Sequence, residues 1–135
     1  MVKRIGVMTS GGDCAGLNAA IRAIVLHADS HGWEVIGIED GTLGLYERPM
    51  RARRLHPEEF DGILLRRAGT ILGTVSHGDP FAFRMPDGSV VDQSDRMIEG
   101  MRTLGIEALI CIGGDGSFRI LDRLCRKGGI PMVGV

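Results

Sequence analysis

Ala108-Leu109-Ile110-Cys111-Ile112-Gly113-Gly114-Asp115-Gly116-Ser117 is the stretch on which the fold turns. Five apolar residues read as a buried strand, and the glycines behind them read as a loop opening into a helix. Residues without side chains let backbone N–H groups come close to an oxyanion. The one carboxylate in their midst, Asp115, can hold a divalent cation against phosphate oxygens. A second such unit begins the chain. Ile5-Gly6-Val7-Met8 runs into Thr9-Ser10-Gly11-Gly12-Asp13-Cys14-Ala15-Gly16, and Leu17-Asn18-Ala19-Ala20-Ile21-Arg22 starts a helix. Either unit alone is weak evidence, because glycine turns follow parallel strands wherever a helix must pack closely on a sheet. Two in one small chain point to two loops converging on one polyphosphate.

Between and beyond these units, strand and helix patterns alternate. The spacing predicts a first strand over about residues 3–8 and a helix from about Leu17 whose packing face carries Leu17, Ile21, Ile24 and Ala28, ended by Gly32. A second strand over 34–38 precedes the turn Glu39-Asp40-Gly41, and residues 57–66 read as a short helix with Pro57 at an early helical position. Pro86-Asp87-Gly88 is a good turn sequence between residues 81–84 and 89–91, which predicts a surface β-hairpin. Met97, Ile98, Met101 and Leu104 form a helical stripe ending near Gly105, followed by a strand over 106–112. Ile120, Leu121 and Leu124 mark a further helix stopped at Gly128-Gly129, and residues 130–135 read as a buried strand. This order implies an α/β fold: a Rossmann-like parallel sheet sandwiched by helices, with a small β-hairpin insertion near 81–91 and ligands at the carboxyl ends of the strands.

Composition bounds the partners. Of 135 residues 44% are apolar and the formal charge is −1, so there is material for a core and no polycationic surface for nucleic acid or anionic membrane. No apolar run approaches the roughly 20 residues needed to span a bilayer, and no targeting segment is visible. Cys14, Cys111 and Cys125 are odd in number and lack metal-ligand spacing, which favours a reducing, cytoplasmic setting over a disulfide framework or a zinc site. No linker-like shift or repeat divides the chain, so it reads as one domain or part of one. The basic run Arg51-Ala52-Arg53-Arg54 reads as a solvated loop, Cys14 as a structural cysteine, and Trp33 and the seven methionines as core or sheet-covering residues.

Five motifs, in their order and approximate spacing, carry a family resemblance: Ser10-Gly11-Gly12-Asp13, Gly16-Leu17-Asn18-Ala19-Ala20-Ile21-Arg22, Asp40-Gly41-Thr42-Leu43-Gly44-Leu45, Gly69-Thr70-Ile71-Leu72-Gly73-Thr74 and Gly113-Gly114-Asp115-Gly116-Ser117. The chain resembles the amino-terminal half of the 6-phosphofructokinase family, over nearly all of its 135 residues. The resemblance implies transfer of the ATP γ-phosphoryl to the 1-hydroxyl of fructose 6-phosphate in glycolysis. It identifies residues 1–135 as the amino-terminal nucleotide-binding domain and puts the sugar-phosphate domain and the catalytic aspartate beyond Val135. On that expectation no catalytic base lies within the chain, and the isolated chain is inactive. Full-length relatives are expected to form homo-oligomers.

The same resemblance distributes roles. Gly12 and its neighbours would bring backbone donors to the β- and γ-phosphates; Gly114, Asp115, Gly116 and Ser117 would line the donor site; Asp115 would hold Mg²⁺. Gly116 leaves space that a carboxylate fills in pyrophosphate-using relatives, which favours ATP as donor. Ser76 and His77 stand after Gly73-Thr74, where ATP-using bacterial members commonly place an arginine beside the transferring phosphates. Thr42 stands where they place a tyrosine near the nucleotide, and Leu26 stands where they place a second arginine of an effector site that Arg22 would otherwise serve. Other readings stay open at this point. They are a pyrophosphate-dependent phosphofructokinase, an NAD or diacylglycerol kinase sharing the Gly-Gly-Asp-Gly loop, and a non-catalytic nucleotide-binding module.

Overall fold

The structure is a computed structural model that describes residues 3–11, 16–60, 62, 69–74 and 79–135. Along the chain run β1 (Arg4–Thr9), α1 (Leu17–Ser30), β2 (Glu34–Ile38), α2 (Thr42–Tyr46), β3 (Ala52–Leu55), a 3₁₀ turn (Pro57–Glu59), β4 (Phe83–Arg84), β5 (Val90–Val91), α3 (Ser94–Thr103), β6 (Ala108–Ile112), α4 (Asp115–Gly128) and β7 (Met132–Gly134). Five strands form one sheet in the order β3-β2-β1-β6-β7. The pairs β2–β1, β1–β6 and β6–β7 are parallel, and β3 runs antiparallel to β2 at the edge.

Strand side chains alternate between two cores, as a period of two requires. Val7, Val35 and Ile112 face one side, where they meet Leu17, Ile21, Val25 and Ala28 of α1 together with Leu55 and Leu72. Met8, Ile38, Leu109 and Cys111 face the other, against Met97 and Met101 of α3 and Leu121, Leu124 and Cys125 of α4. The buried stripe of α1 uses Val25, while Ile24 packs at its margin. Glycines turn the chain behind both long helices: His31 caps α1 and Gly32 follows it in the left-handed conformation (φ +70°), and Gly129 takes that conformation as the cap of α4.

The hairpin near 81–91 is present as β4 on β5, with Phe83 opposite Val91 and Arg84 opposite Val90. Its turn closes through Met85 N–H to Ser89 O at 2.8 Å and Gly88 N–H to Met85 O at 2.9 Å. Asp87 accepts both the Ser89 hydroxyl and its N–H, which holds the Asp87 carboxyl below the usual carboxylate range.

The basic run departs from the sequence reading. Arg51-Ala52-Arg53-Arg54 leads into and forms β3, not a solvated loop, with Val35 opposite Leu55 and Ile38 opposite Ala52. Its guanidiniums are matched by carboxylates: Arg51 pairs with Asp40 and Arg53 with Glu59, while Arg54 lies 3.7 Å from Glu34. The short helix α2 also went unread, because five residues with a central glycine show no period. Pro57 does open a helical turn, and Gly62 is helical; the rest of the predicted 57–66 helix lies outside the described residues.

Two features of this topology place the site. β1 and β6 are neighbours at the sheet centre, and the chain leaves β1 toward β2 on one side but leaves β6 toward β7 on the other. Strand order therefore reverses between them, which opens a crevice at their carboxyl ends. Among the described residues no helix is long and apolar enough to cross a membrane.

Candidate phosphate-binding site

At the end of β6 the chain passes through Gly113 to Gly114, an extended residue (φ −109°, ψ 179°) that starts α4 without a side-chain cap. The first helical hydrogen bond runs from Phe118 N–H to Gly114 O at 3.0 Å. The amides of Asp115, Gly116 and Ser117 thus precede any intrahelical acceptor and sit at the positive end of the helix dipole. Gly114, Asp115 and Gly116 are exposed, and a Cβ added at Gly114 or Gly116 would meet nothing within 4 Å. Such a face can receive an anion on backbone donors.

The two loops touch, as the sequence led us to expect. Ser10 N–H donates to Ile112 O at 2.9 Å, and Ser10 Oγ donates to Ser117 Oγ at 3.1 Å. A Cβ on Gly113 would collide with the carbonyl oxygen of Ser10, so only glycine lets the loops come this close. Gly113 N–H is used by Val135 O at 3.1 Å, which ties the second loop to the chain beyond β7.

A polar clasp that the sequence reading missed ties the end of β1 and the start of α1 to residues 69–74. Thr9, the last residue of β1, is 1% exposed; its hydroxyl donates to Gly73 O at 2.7 Å and meets the Thr70 hydroxyl at 3.0 Å. Asn18, in the first turn of α1, is 2% exposed. Its Nδ2 donates to Gly69 O at 2.7 Å while its Oδ1 accepts from Ile71 N–H at 2.8 Å. Thr74 Oγ1 then donates back to Gly11 O at 2.7 Å. The partners are 51 to 64 residues apart in the chain. The one signal within the sequence is a polar Asn18 in line with the buried face that Leu17 and Ile21 begin. Gly73 completes the segment: it has φ +73°, its absent Cβ makes room for the Asp40 carboxylate, and Asp40 N–H donates to Leu72 O at 2.8 Å.

Of the sequence-predicted site residues, the structure brings Gly114, Asp115, Gly116 and Ser117 together at the start of α4, beside Ser10 and Gly11. Gly12, Ser76 and His77 lie outside the described residues, as does Cys14. Thr42, which stands where relatives place a tyrosine, is buried at the start of α2. Asp115 carries the metal question. Its carboxylate projects from the first helical position and pairs with no cation among the described residues. Magnesium is usually held by one or two carboxylates plus the phosphates it accompanies, so this donor set fits Mg²⁺ that arrives with a phosphate chain. The described residues contain no group of three or more His, Cys, Asp or Glu able to cage a metal without one.

The buried thiols behind the site are poor nucleophiles. Burial, with Cys125 nearby, pushes Cys111 up to about 12, and burial, with the Asp122 charge, pushes Cys125 up to about 11.

Comparison with known proteins gives a consistent picture. The sequence profile of the family described as Phosphofructokinase matches residues 4–135. ATP-dependent 6-phosphofructokinase 1 of Synechocystis sp. is 55% identical over 135 residues, covering 99% of this chain and 37% of that protein. ATP-dependent 6-phosphofructokinase 1 of Nostoc sp. is 54% identical over 133 residues, with 98% of this chain and 37% of that protein covered. The chain therefore spans little more than a third of the length of these relatives. Among solved structures, Pichia pastoris phosphofructokinase in the T-state superposes with a TM-score of 0.79 at 27% identity, over 99% of this chain and 15% of that one.

Proposed function

Because the chain belongs to the phosphofructokinase family, we propose that its two loops form the donor-phosphate site of an ATP-dependent 6-phosphofructokinase, which moves the ATP γ-phosphoryl to the 1-hydroxyl of fructose 6-phosphate. The carrying observation is the contact between the β1 and β6 loops at the switch point, with the open amides of α4 beside Asp115. In this reading residues 1–135 are the nucleotide-binding part, and the sugar phosphate and the acceptor's proton are handled by groups outside them.

The chain's own residues bind and orient. The amides of Asp115, Gly116 and Ser117 receive phosphate oxygens without reorganising, since their directions are set by α4. Gly12, beside Gly11, supplies backbone donors from the other loop, and Ser76 and His77, which follow Thr74 and Val75 in the sequence, are assigned to the same phosphates by the family resemblance alone. Asp115 would hold Mg²⁺, which would supply positive charge to offset that of the phosphates as the γ-phosphoryl leaves. Gly116 leaves its side of the loop open to the α-phosphate, which supports ATP over pyrophosphate as donor. Assembly into homo-oligomers and a cytoplasmic setting belong to the same proposal.

Asp115→Asn keeps the shape of the residue and removes its charge. Calorimetric titration with ATP at several Mg²⁺ concentrations should lose the Mg-dependent part of the affinity, about tenfold or more, while the fold stays intact. Equal Mg dependence in both proteins would overturn the metal assignment and the donor-site reading with it.

A further inference from the structure

We propose that Thr9 and Asn18 are positioning residues for the donor site: by clasping residues 69–74 against the end of β1 and the start of α1, they fix where Gly11 stands beside Ser10 and Ser117. The inference rests on the donor-site reading above.

Thr9 immediately precedes the loop and Asn18 follows it at the second position of α1, so the two clasp points bracket it. Both reach the same short segment: Asn18 grips Gly69 and Ile71, and Thr9 grips Thr70 and Gly73. The segment then returns to the loop through the Thr74 hydroxyl on Gly11 O. The result is a ring of hydrogen bonds that joins residues 69–74 to Thr9, Gly11 and Asn18.

Burial of the segment does not need that ring. Leu72, 1% exposed, already anchors it in the core formed with Val35 and Leu55. Burial is non-directional, whereas the hydroxyl and amide bonds fix how far the segment stands from Gly11 and which way its carbonyls point. Asn18 shows the choice most clearly. A polar side chain in the first turn of a helix ordinarily serves that helix's own N–H groups, whereas both ends of this amide reach a segment more than fifty residues away.

Thr9→Val preserves shape and strand preference and deletes the hydroxyl. In the protein expressed from its complete coding sequence, KM for MgATP should rise about tenfold, as misplacement of a positioned phosphate site predicts, with KM for fructose 6-phosphate unchanged. Thr9→Ser should recover most of the loss. A merely structural role would lower the melting temperature and leave KM for MgATP of the folded protein alone; that result overturns the proposal. Should Thr9→Val fail to fold, Thr74→Val removes the Gly11 bond at a half-buried position and is read by the same criterion. Asp115→Asn is titrated in parallel. Lost Mg-dependent binding there, with unchanged nucleotide affinity in the threonine variants, overturns the clasp alone. Unchanged binding in Asp115→Asn overturns the donor-site reading, and the clasp falls with it.

Discussion

The two glycine loops arise from the same strand–glycine–helix pattern on adjacent parallel strands, yet they are held in opposite ways. The β1 loop is bracketed by buried polar residues, Thr9 and Asn18, whose hydrogen bonds reach a distant segment. The β6 loop has no such clasp among the described residues. It is exposed, begins α4 without a side-chain cap, and touches its neighbour through Ser117 and the bare backbone of Gly113. The residues that flank the first loop are fixed by their surroundings, whereas the start of α4 offers its donors and a carboxylate outward.

The largest effect that should follow from this difference is at Gly116. A side chain there meets nothing within 4 Å, so Gly116→Asp should fold, helped by a carboxylate near the start of α4. The same carboxylate faces incoming phosphate. Two like charges a few ångströms apart in a partly desolvated site should lower ATP affinity about a hundredfold relative to pyrophosphate. Competition binding of the two donors measures the ratio; a variant that keeps its preference for ATP would show that Gly116 does not face the α-phosphate.

Next in size is the contact between the loops. Gly113→Ala drives a methyl group into the Ser10 carbonyl, which belongs to backbone and cannot swing away. It should destabilise the fold by about 1–3 kcal/mol, the usual range for overpacking. Gly114→Ala, one residue on, enters open space and should stay within about 0.5 kcal/mol of the parent. Denaturant unfolding of the pair tests whether closeness is confined to Gly113; equal losses would show that it is not.

The smallest effect concerns the strand that feeds the second loop. An unfolded cysteine ionises near 9.0, whereas burial holds Cys111 protonated until about 12 and Cys125 until about 11. Both folded values are raised. The stabilisation is therefore fully present below pH 9 and is lost as pH climbs from there through 11 to 12. Cys111→Ala should flatten that alkaline decline in thermal melts taken between pH 8 and pH 11. An unchanged slope would assign the decline to other groups.

How far the fold was legible depended on how local its causes are. The strands at Ile5-Gly6-Val7-Met8 and Ala108–Ile112, the start of α1 at Leu17 and the turn at Pro86-Asp87-Gly88 each rest on a run of a few residues, and each stands where the sequence put it. The β3 edge strand did not follow that rule. Three of the four residues from Arg51 to Arg54 are charged, and the carboxylates that neutralise them come from Asp40, Glu34 and Glu59, on other elements. Only pairing with β2 turns that run from a solvated loop into a strand. The site divides in the same way. Asp115 and its glycines were readable because spacing alone puts them behind a strand, whereas Thr9 and Asn18 looked like ordinary members of a motif.

By itself, then, the sequence determined the alternation of strands and helices, the two glycine loops, the carboxylate at the head of α4 and the family to which these belong. All of these are written in short-range period, in turn chemistry and in motif order. Tertiary structure decided that β1 and β6 lie side by side, that Ser10 reaches Ser117 across them, and that Thr9 and Asn18 spend their hydrogen bonds on residues 69–74. The physical reason is that a buried polar group must find a partner wherever the chain brings one within about 3 Å, and no spacing along the sequence records which distant carbonyl that will be.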